Sequence, residues 1–363
     1  YGGVLLAGAS FSFADVLGDR RLQATLRVSS NPGNTLARLA YVDRASRWTW
    51  SAAAGRVPVL LFDGVAVEAP AGDVRRMETW RLRQVHHEIG LAASYPFSRT
   101  ARAELATSWR HVGFAREGWV IERSGGRVVD RDRLERPAGE GLTFVEMRAA
   151  LVHDSAVFGA AGPVAGRRAR LEIAPAVGSR AFVSVTADVR GYWSPAPPWT
   201  IAARLAHLAR YGPGAGDRRL VPLAAGLHSQ VRGYDARSLV FARCRRAGAS
   251  VCSVLDALAG SRLLAANLEL RVPIAGLRSR RFDYGSVPLE GFVFADAGWL
   301  QAGARRAGPA IDPGGAIGSL LLRSAGAGVR LNAGGIVFEV AAARTPDRPG
   351  RSWALALNLR PGF

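Results

Sequence analysis

The chain has 363 residues, 48% of them hydrophobic, and its mean hydropathy is close to neutral at +0.06. Nowhere do apolar residues run together over the ~20 positions that a membrane-spanning helix needs, which excludes a helical membrane protein and leaves one large domain or two ordinary ones. The formal net charge is +19 and all 48 basic residues are arginine; they are scattered (Arg81 and Arg83, Arg167, Arg168 and Arg170, Arg278, Arg280 and Arg281), which argues against nucleic acid as a partner and for arginines facing a lumen, loops and anionic lipid headgroups.

The chain opens on Tyr1-Gly2-Gly3-Val4-Leu5-Leu6, without the ordered basic region, apolar core and cleavage site of a secretion signal. Period-two alternation then recurs from end to end. In Phe182 to Arg190, for example, Val183, Val185, Ala187 and Val189 share one face, with Ser184, Thr186, Asp188 and Arg190 on the other. This pattern predicts strands at 3–14, 20–30, 35–44, 46–54, 56–69, 77–94, 101–123, 142–155, 166–177, 181–193 and 199–211. After a long loop at about 212–260, five more follow at 261–275, 287–300, 319–332, 335–345 and 352–363. The tally of sixteen is even, as a closed antiparallel transmembrane barrel requires.

The connections alternate in character. Tyr95-Pro96-Phe97-Ser98-Arg99-Thr100 and Ser194-Pro195-Ala196-Pro197-Pro198 are compact turns, whereas 124–141, 212–260 and 301–318 are longer polar or glycine-rich segments. In a barrel the short turns face the periplasm and the long loops the outside, with Tyr95, Phe97, Tyr192, Trp193 and Trp199 at the level of an aromatic girdle. No linker interrupts the pattern, so residues 1–363 read as a single domain.

Two cysteines, Cys244 and Cys252, form a close pair in an otherwise cysteine-free chain. That fits a short disulfide in an oxidising compartment better than a zinc site, with two free thiols as the alternative. No enzymatic pattern emerges. His87 alternates to the face opposite His86 and Glu88, which makes no metal cluster; the adjacent His153-Asp154-Ser155 cannot assemble as a triad, and no phosphate loop or cofactor motif is present. The expectation is a protein without catalytic residues, metal or cofactor.

Two distant segments carry a family resemblance. Val231-Arg232-Gly233-Tyr234 puts an Arg-Gly-aromatic tip in the long loop. Glu269, in Asn267-Leu268-Glu269-Leu270, and Asp296, in Phe294-Ala295-Asp296-Ala297-Gly298, are carboxylates on later strands. Together they resemble the BamA superfamily of outer-membrane barrels, in which the sixth extracellular loop folds into the lumen and its arginine meets acidic groups on the twelfth and thirteenth strands. The resemblance implies that Arg232 is clasped by Glu269 and Asp296, with Phe294 and Gly298 beside them. A buried guanidinium needs such carboxylates, Gly233 permits a tight tip, and Tyr234 can pack on the inner wall. Arg190-Gly191-Tyr192 repeats the tripeptide at a strand end, where a structural role is expected.

The same resemblance places Cys244 and Cys252 where BamA carries a short disulfide, and makes the segments 323–330 and 335–341 the fourteenth and fifteenth strands. At the end of the chain Leu355, Leu357, Leu359 and Phe363 share one parity and form a lipid-facing terminal strand that resembles a barrel-assembly signal. Gly8 to Arg20 resembles barrels that follow TolB-like propeller repeats, so the implied N-terminal periplasmic part, absent from this sequence, is a propeller or a set of POTRA domains.

By resemblance the function is insertion of client barrels, or passage of polypeptide, through a lateral seam between the first and last strands. The implied partners are outer-membrane lipid, lipopolysaccharide and client outer-membrane or secreted polypeptides. A membrane anchor or passive pore carrying a soluble N-terminal domain is the alternative.

Overall fold

A computed structural model describes residues 6–67, 74–124, 127–217, 219–221, 223, 230–234, 261–301, 320–348 and 352–361. Seventeen strands share one sheet: β1 (Leu6–Ala14), β2 (Arg20–Ser29), β3 (Leu36–Asp43), β4 (Thr49–Val67), β5 (Val74–Pro96), β6 (Ala101–Ser124), β7 (Arg127–Pro137), β8 (Leu142–Asp154), β9 (Val157–Phe158), β10 (Pro163–Gly178), β11 (Phe182–Trp193), β12 (Thr200–Tyr211), β13 (Arg262–Pro273), β14 (Leu289–Gln301), β15 (Leu320–Ala333), β16 (Ile336–Arg344) and β17 (Trp353–Pro361). Among the described residues no helix is long and apolar enough to cross a membrane, which says nothing about strands.

Antiparallel ladders join β1 through β6 in sequence, then β6 to β8, β8 to β10, and β10 onward to β17. β7 pairs only with the far half of β6, and the two-residue β9 only with β10. Setting these two aside leaves, among the described residues, fifteen of the seventeen strands as the wall. Each antiparallel ladder reverses direction, so an odd number of wall strands leaves the first and last pointing the same way. β1 and β17 thus run parallel to each other, and among the described residues no ladder joins them.

Among the described residues the strands depart from the expected set in two places. The segments 46–54 and 56–69 are one strand, β4, because Gly55 marks a close approach and not a turn: a Cβ there would lie 2.9 Å from the Ala37 carbonyl oxygen of β3. The segment 124–141 is not simply a loop. Its charged sequence carries no apolar alternation, yet β7 forms because the tall β6 offers it an unpaired backbone edge above the point where β8 takes over.

The side chains explain which face meets what. In β14 and β16 every second residue is buried, and the alternate ones are exposed in β16 and exposed or half-buried in β14. The exposed set is apolar: Met147 and Leu151 on β8, Leu171 and Ile173 on β10, Leu205 on β12, Leu268 on β13, Val293 on β14. A continuous apolar outer face is costly in water, at ~25 cal/mol per Å², and costs nothing in lipid. At the short-turn end the aromatics cluster, Trp48 lying 5.6 Å from Trp50 and 4.9 Å from Tyr95, with Phe97 5.7 Å beyond and the Arg47 guanidinium 4.6 Å over Tyr95. Trp193 and Trp199 are exposed beside the 194–199 turn.

The opposite end of the enclosed face carries an apolar plug. Leu82, Phe114, Phe144 and Phe182 pack together, and Ala215 and Leu220, from the stretch after β12, close over them. Gln84 Nε2 donates to the Arg219 carbonyl at 2.9 Å. Asp217 pins this shoulder, accepting from Arg180 Nε at 2.8 Å and from Arg219 Nη2 at 2.7 Å. Burial pushes its carboxyl up, but the hydrogen bonds from Arg219 and Arg180 outweigh burial and hold it down at about 2, against an ordinary 3.8. A depressed carboxylate stabilises the fold above its unfolded value and ceases to do so as pH falls through its folded value. Hydrogen-exchange protection factors over 212–221 are therefore expected to stay constant down to about pH 4 and to fall between about pH 4 and 2, a dependence that Asp217→Asn removes.

Candidate functional site: a loop tip held by buried ions

Val231 to Tyr234 forms a tight turn in which the Tyr234 N–H donates to the Val231 carbonyl at 3.4 Å. Gly233 takes φ +83°, the left-handed region, and a Cβ there would press on Thr345, Ala343 and Ala354. The turn presents Arg232 to the inner faces of β13 and β14. Arg232 Nε and Nη2 donate to the two oxygens of Asp296 at 2.8 and 2.7 Å, its backbone N–H adds a third bond to Asp296 at 3.1 Å, and Nη1 donates to Glu269 at 2.7 Å. Its guanidinium carbon lies 3.8 Å from the centre of the Phe294 ring.

The rest of the tip is seated as firmly. Val231 is fully buried against Gly298, where a Cβ would come within 2.5 Å of its methyl group. The Tyr234 hydroxyl donates to the Arg323 carbonyl at 2.9 Å, Asn267 Nδ2 donates to the Gln230 carbonyl at 2.8 Å, and Arg348 Nη1 donates to the Gly233 carbonyl at 3.1 Å. All eight residues expected of the lock, Val231, Arg232, Gly233, Tyr234, Glu269, Phe294, Asp296 and Gly298, thus meet in one place.

The sequence reading missed the second half of this network. Glu269 also accepts from Arg271 Nε at 2.6 Å and from Arg330 Nη2 at 3.0 Å, and Arg330 donates onward to Glu339 at 2.6 Å and to Glu290 at 3.3 Å. Arg330 lies 4.2 Å over Phe292. Three guanidiniums and four carboxylates are therefore interlaced with side chains no more than 10% exposed. Desolvating each ion costs several kcal/mol, and only mutual pairing offsets it. The signal was in the alternation: Arg271, Glu290, Arg330 and Glu339 all occupy the inward parity of their strands, and four inward charges on adjacent strands require one another. Phe292 and Phe294 reach this depth because Gly328 and Gly326 of β15 leave room beneath the rings. A cavity of about 660 Å³ flanks the network, bordered by Arg190, Tyr192, Arg204, Asn267 and Asn358.

Other expected residues are placed as follows. Leu355, Leu357 and Leu359 lie on one face of β17 and are 69–70% exposed. Phe363 and the pair Cys244 and Cys252 lie outside the described residues. The second Arg-Gly-Tyr is on β11, where Arg190 and Arg204 both grip Asp188. His153 Nε2 lies 3.2 Å from Ser155 Oγ, while Asp154 pairs with Arg168, so the three residues do not converge.

No family model and no curated protein matches the chain. Solved structures do. BamA from Haemophilus ducreyi lacking POTRA domains 1-3 superposes with a TM-score of 0.61 at 13% identity over 98% of this chain, CdiB from Acinetobacter baumannii with 0.50 at 12% over 98%, and CdiB from Escherichia coli with 0.51 at 14% over 98%. The chain has the fold of the BamA-superfamily barrels. It spans 66%, 56% and 59% of those three chains.

Removing Arg232 leaves Asp296 buried and unpaired, a change that costs about 3–5 kcal/mol, whereas Arg190 is partly exposed and its partner keeps Arg204, a loss of about 0–1 kcal/mol. Arg232→Ala is expected to lower the temperature at which gel mobility changes on heating far more than Arg190→Ala does.

Proposed function

We propose that the protein is an outer-membrane barrel that inserts client β-barrel proteins, or passes polypeptide, through a lateral seam between β1 and β17, while Arg232 keeps the loop tip inside the lumen. The observation that carries this reading is the pair of edges, on β1 and β17, that have a ladder on one side only among the described residues. Because β1 and β17 run in the same direction, one incoming strand running opposite to both completes an antiparallel ladder on each side, with its alternate apolar residues continuing the outer face. The exposure of Leu355, Leu357 and Leu359 on the last strand supports it, since nothing among the described residues covers that side. The fold shared with BamA and CdiB supports an outer-membrane location, with lipid and lipopolysaccharide around the wall and arginines toward their anionic headgroups. The seam needs no cofactor and no catalytic group. The chemistry is exchange of backbone hydrogen bonds.

A photo-crosslinking side chain placed at Phe13 on β1 or Leu357 on β17, in the complete protein in its membrane, is expected to capture outer-membrane or secreted polypeptides during their biogenesis. The same group at Leu171, remote from the seam on β10, captures none. A folded protein with no capture at either edge would refute the seam and favour a barrel that only anchors a soluble domain.

A further inference from the structure

The seam strand and the loop tip are usually separate parts of a wall, but here a chain of buried contacts runs from one to the other. Arg232 Nη1 bonds Glu269 at 2.7 Å on β13, Glu269 accepts from Arg330 Nη2 at 3.0 Å on β15, and Arg330 Nε bonds Glu339 at 2.6 Å on β16. The second oxygen of Glu339 accepts from Asn358 Nδ2 at 2.9 Å, on β17 itself. Nearer the long-loop end, the space that a Cβ on Gly233 would need is taken by Ala343 of β16 and Ala354 of β17. Arg348, in the connection between these strands, donates to the Gly233 carbonyl. Loop tip and edge strand are therefore linked through the ions that end at Asn358, and Ala354 lies 3.4 Å from where a Cβ on Gly233 would stand.

We propose that Asn358 is a positioning residue that couples the free edge strand β17 to the seating of Arg232, through Glu339, Arg330 and Glu269. Among the described residues β17 has a ladder on one side only, to β16, so its order depends on side-chain contacts more than that of any strand with two neighbours. Asn358 follows Ala354 and Ala356 on the inward face of β17. A neutral amide suits the position: it donates to a carboxylate whose other oxygen is already claimed, and it releases without leaving a second buried charge. Glu339 is fully enclosed and bonds Arg330 through one oxygen and Asn358 through the other, so a shift of either partner is felt by the other through one carboxylate. Withdrawal of Arg232 works the same chain from the other end. Seated, the tip holds the edge in place; unseated, it frees the edge to exchange partners.

The coupling is a property of the folded wall and holds whether or not a client enters the seam, so its test stands apart from the crosslinking experiment. Hydrogen exchange of the protein in detergent reads both ends, because the Arg232 N–H is itself bonded to Asp296. Asn358→Ala is expected to speed exchange of the β17 amides about tenfold and, by reciprocity, to speed exchange of the Arg232 amide as well, with Asn358→Gln partly restoring both. Arg232→Ala is expected to speed β17 exchange, and the double variant to do so no more than the larger single change; Arg232→Lys serves if the alanine variant does not fold. Exchange across β10 and β11 stays as in the parent. Faster β17 exchange in Asn358→Ala with an unchanged Arg232 amide would reduce Asn358 to a local prop and overturn the proposal, as would single effects that multiply in the double variant.

Discussion

A guanidinium leaves water only where carboxylates receive it, and the interior of this wall is arranged around that requirement. Arg232 directs all three of its guanidinium nitrogens and its backbone N–H at Asp296 and Glu269. Each of those acids must in turn be balanced, and Glu269, shared among Arg232, Arg271 and Arg330, extends the demand across four strands. Such a cluster does not gain much stability over an apolar core of equal volume. What it supplies is a unique fit: no other residue of the tip can take the place of Arg232 without stranding two buried charges. A loop after β12 is thereby fixed to one spot on the inner face.

The wall itself follows from a different constraint. The wall strands alternate, so the inner face receives the polar residues and several aromatics and the outside receives Leu, Ile, Val and Met. Backbone groups in lipid must be satisfied within the sheet, and among the described residues the wall ladders do this on both sides of every wall strand except β1 and β17. Those two described edge strands run in the same direction, which is the arrangement one further antiparallel strand fits. The seam and the lock are thus both consequences of unsatisfied groups, one set on the backbone and the other on side chains.

Much of this was legible in the sequence. Period-two alternation placed most strands to within a few residues, and Arg232, Glu269 and Asp296 stood out through the resemblance of the Arg-Gly-aromatic tip and the later acids to the BamA superfamily. Where the reading failed, the determining contacts were between strands. Gly55 looks like a turn residue until the carbonyl of Ala37 is seen beside it, and β7 has no pattern of its own because its partner strand imposes its extension. Arg330 and Glu339 carried the right parity but gave no sign of which neighbour they would meet, since register is a property of two strands and alternation a property of one.

The account stands on the loop tip occupying the inner face of β14. A Cβ built at Gly298 lies 3.8 Å from that of Val231, within the roughly 3.5–4.5 Å that a disulfide spans. In a background with Cys244 and Cys252 replaced by serine, V231C with G298C is expected to form a disulfide spontaneously, seen as a change in mobility on non-reducing gels that reducing agent reverses. Two free thiols in a folded barrel, both open to a water-soluble maleimide, would place the tip outside the lumen and contradict the lock.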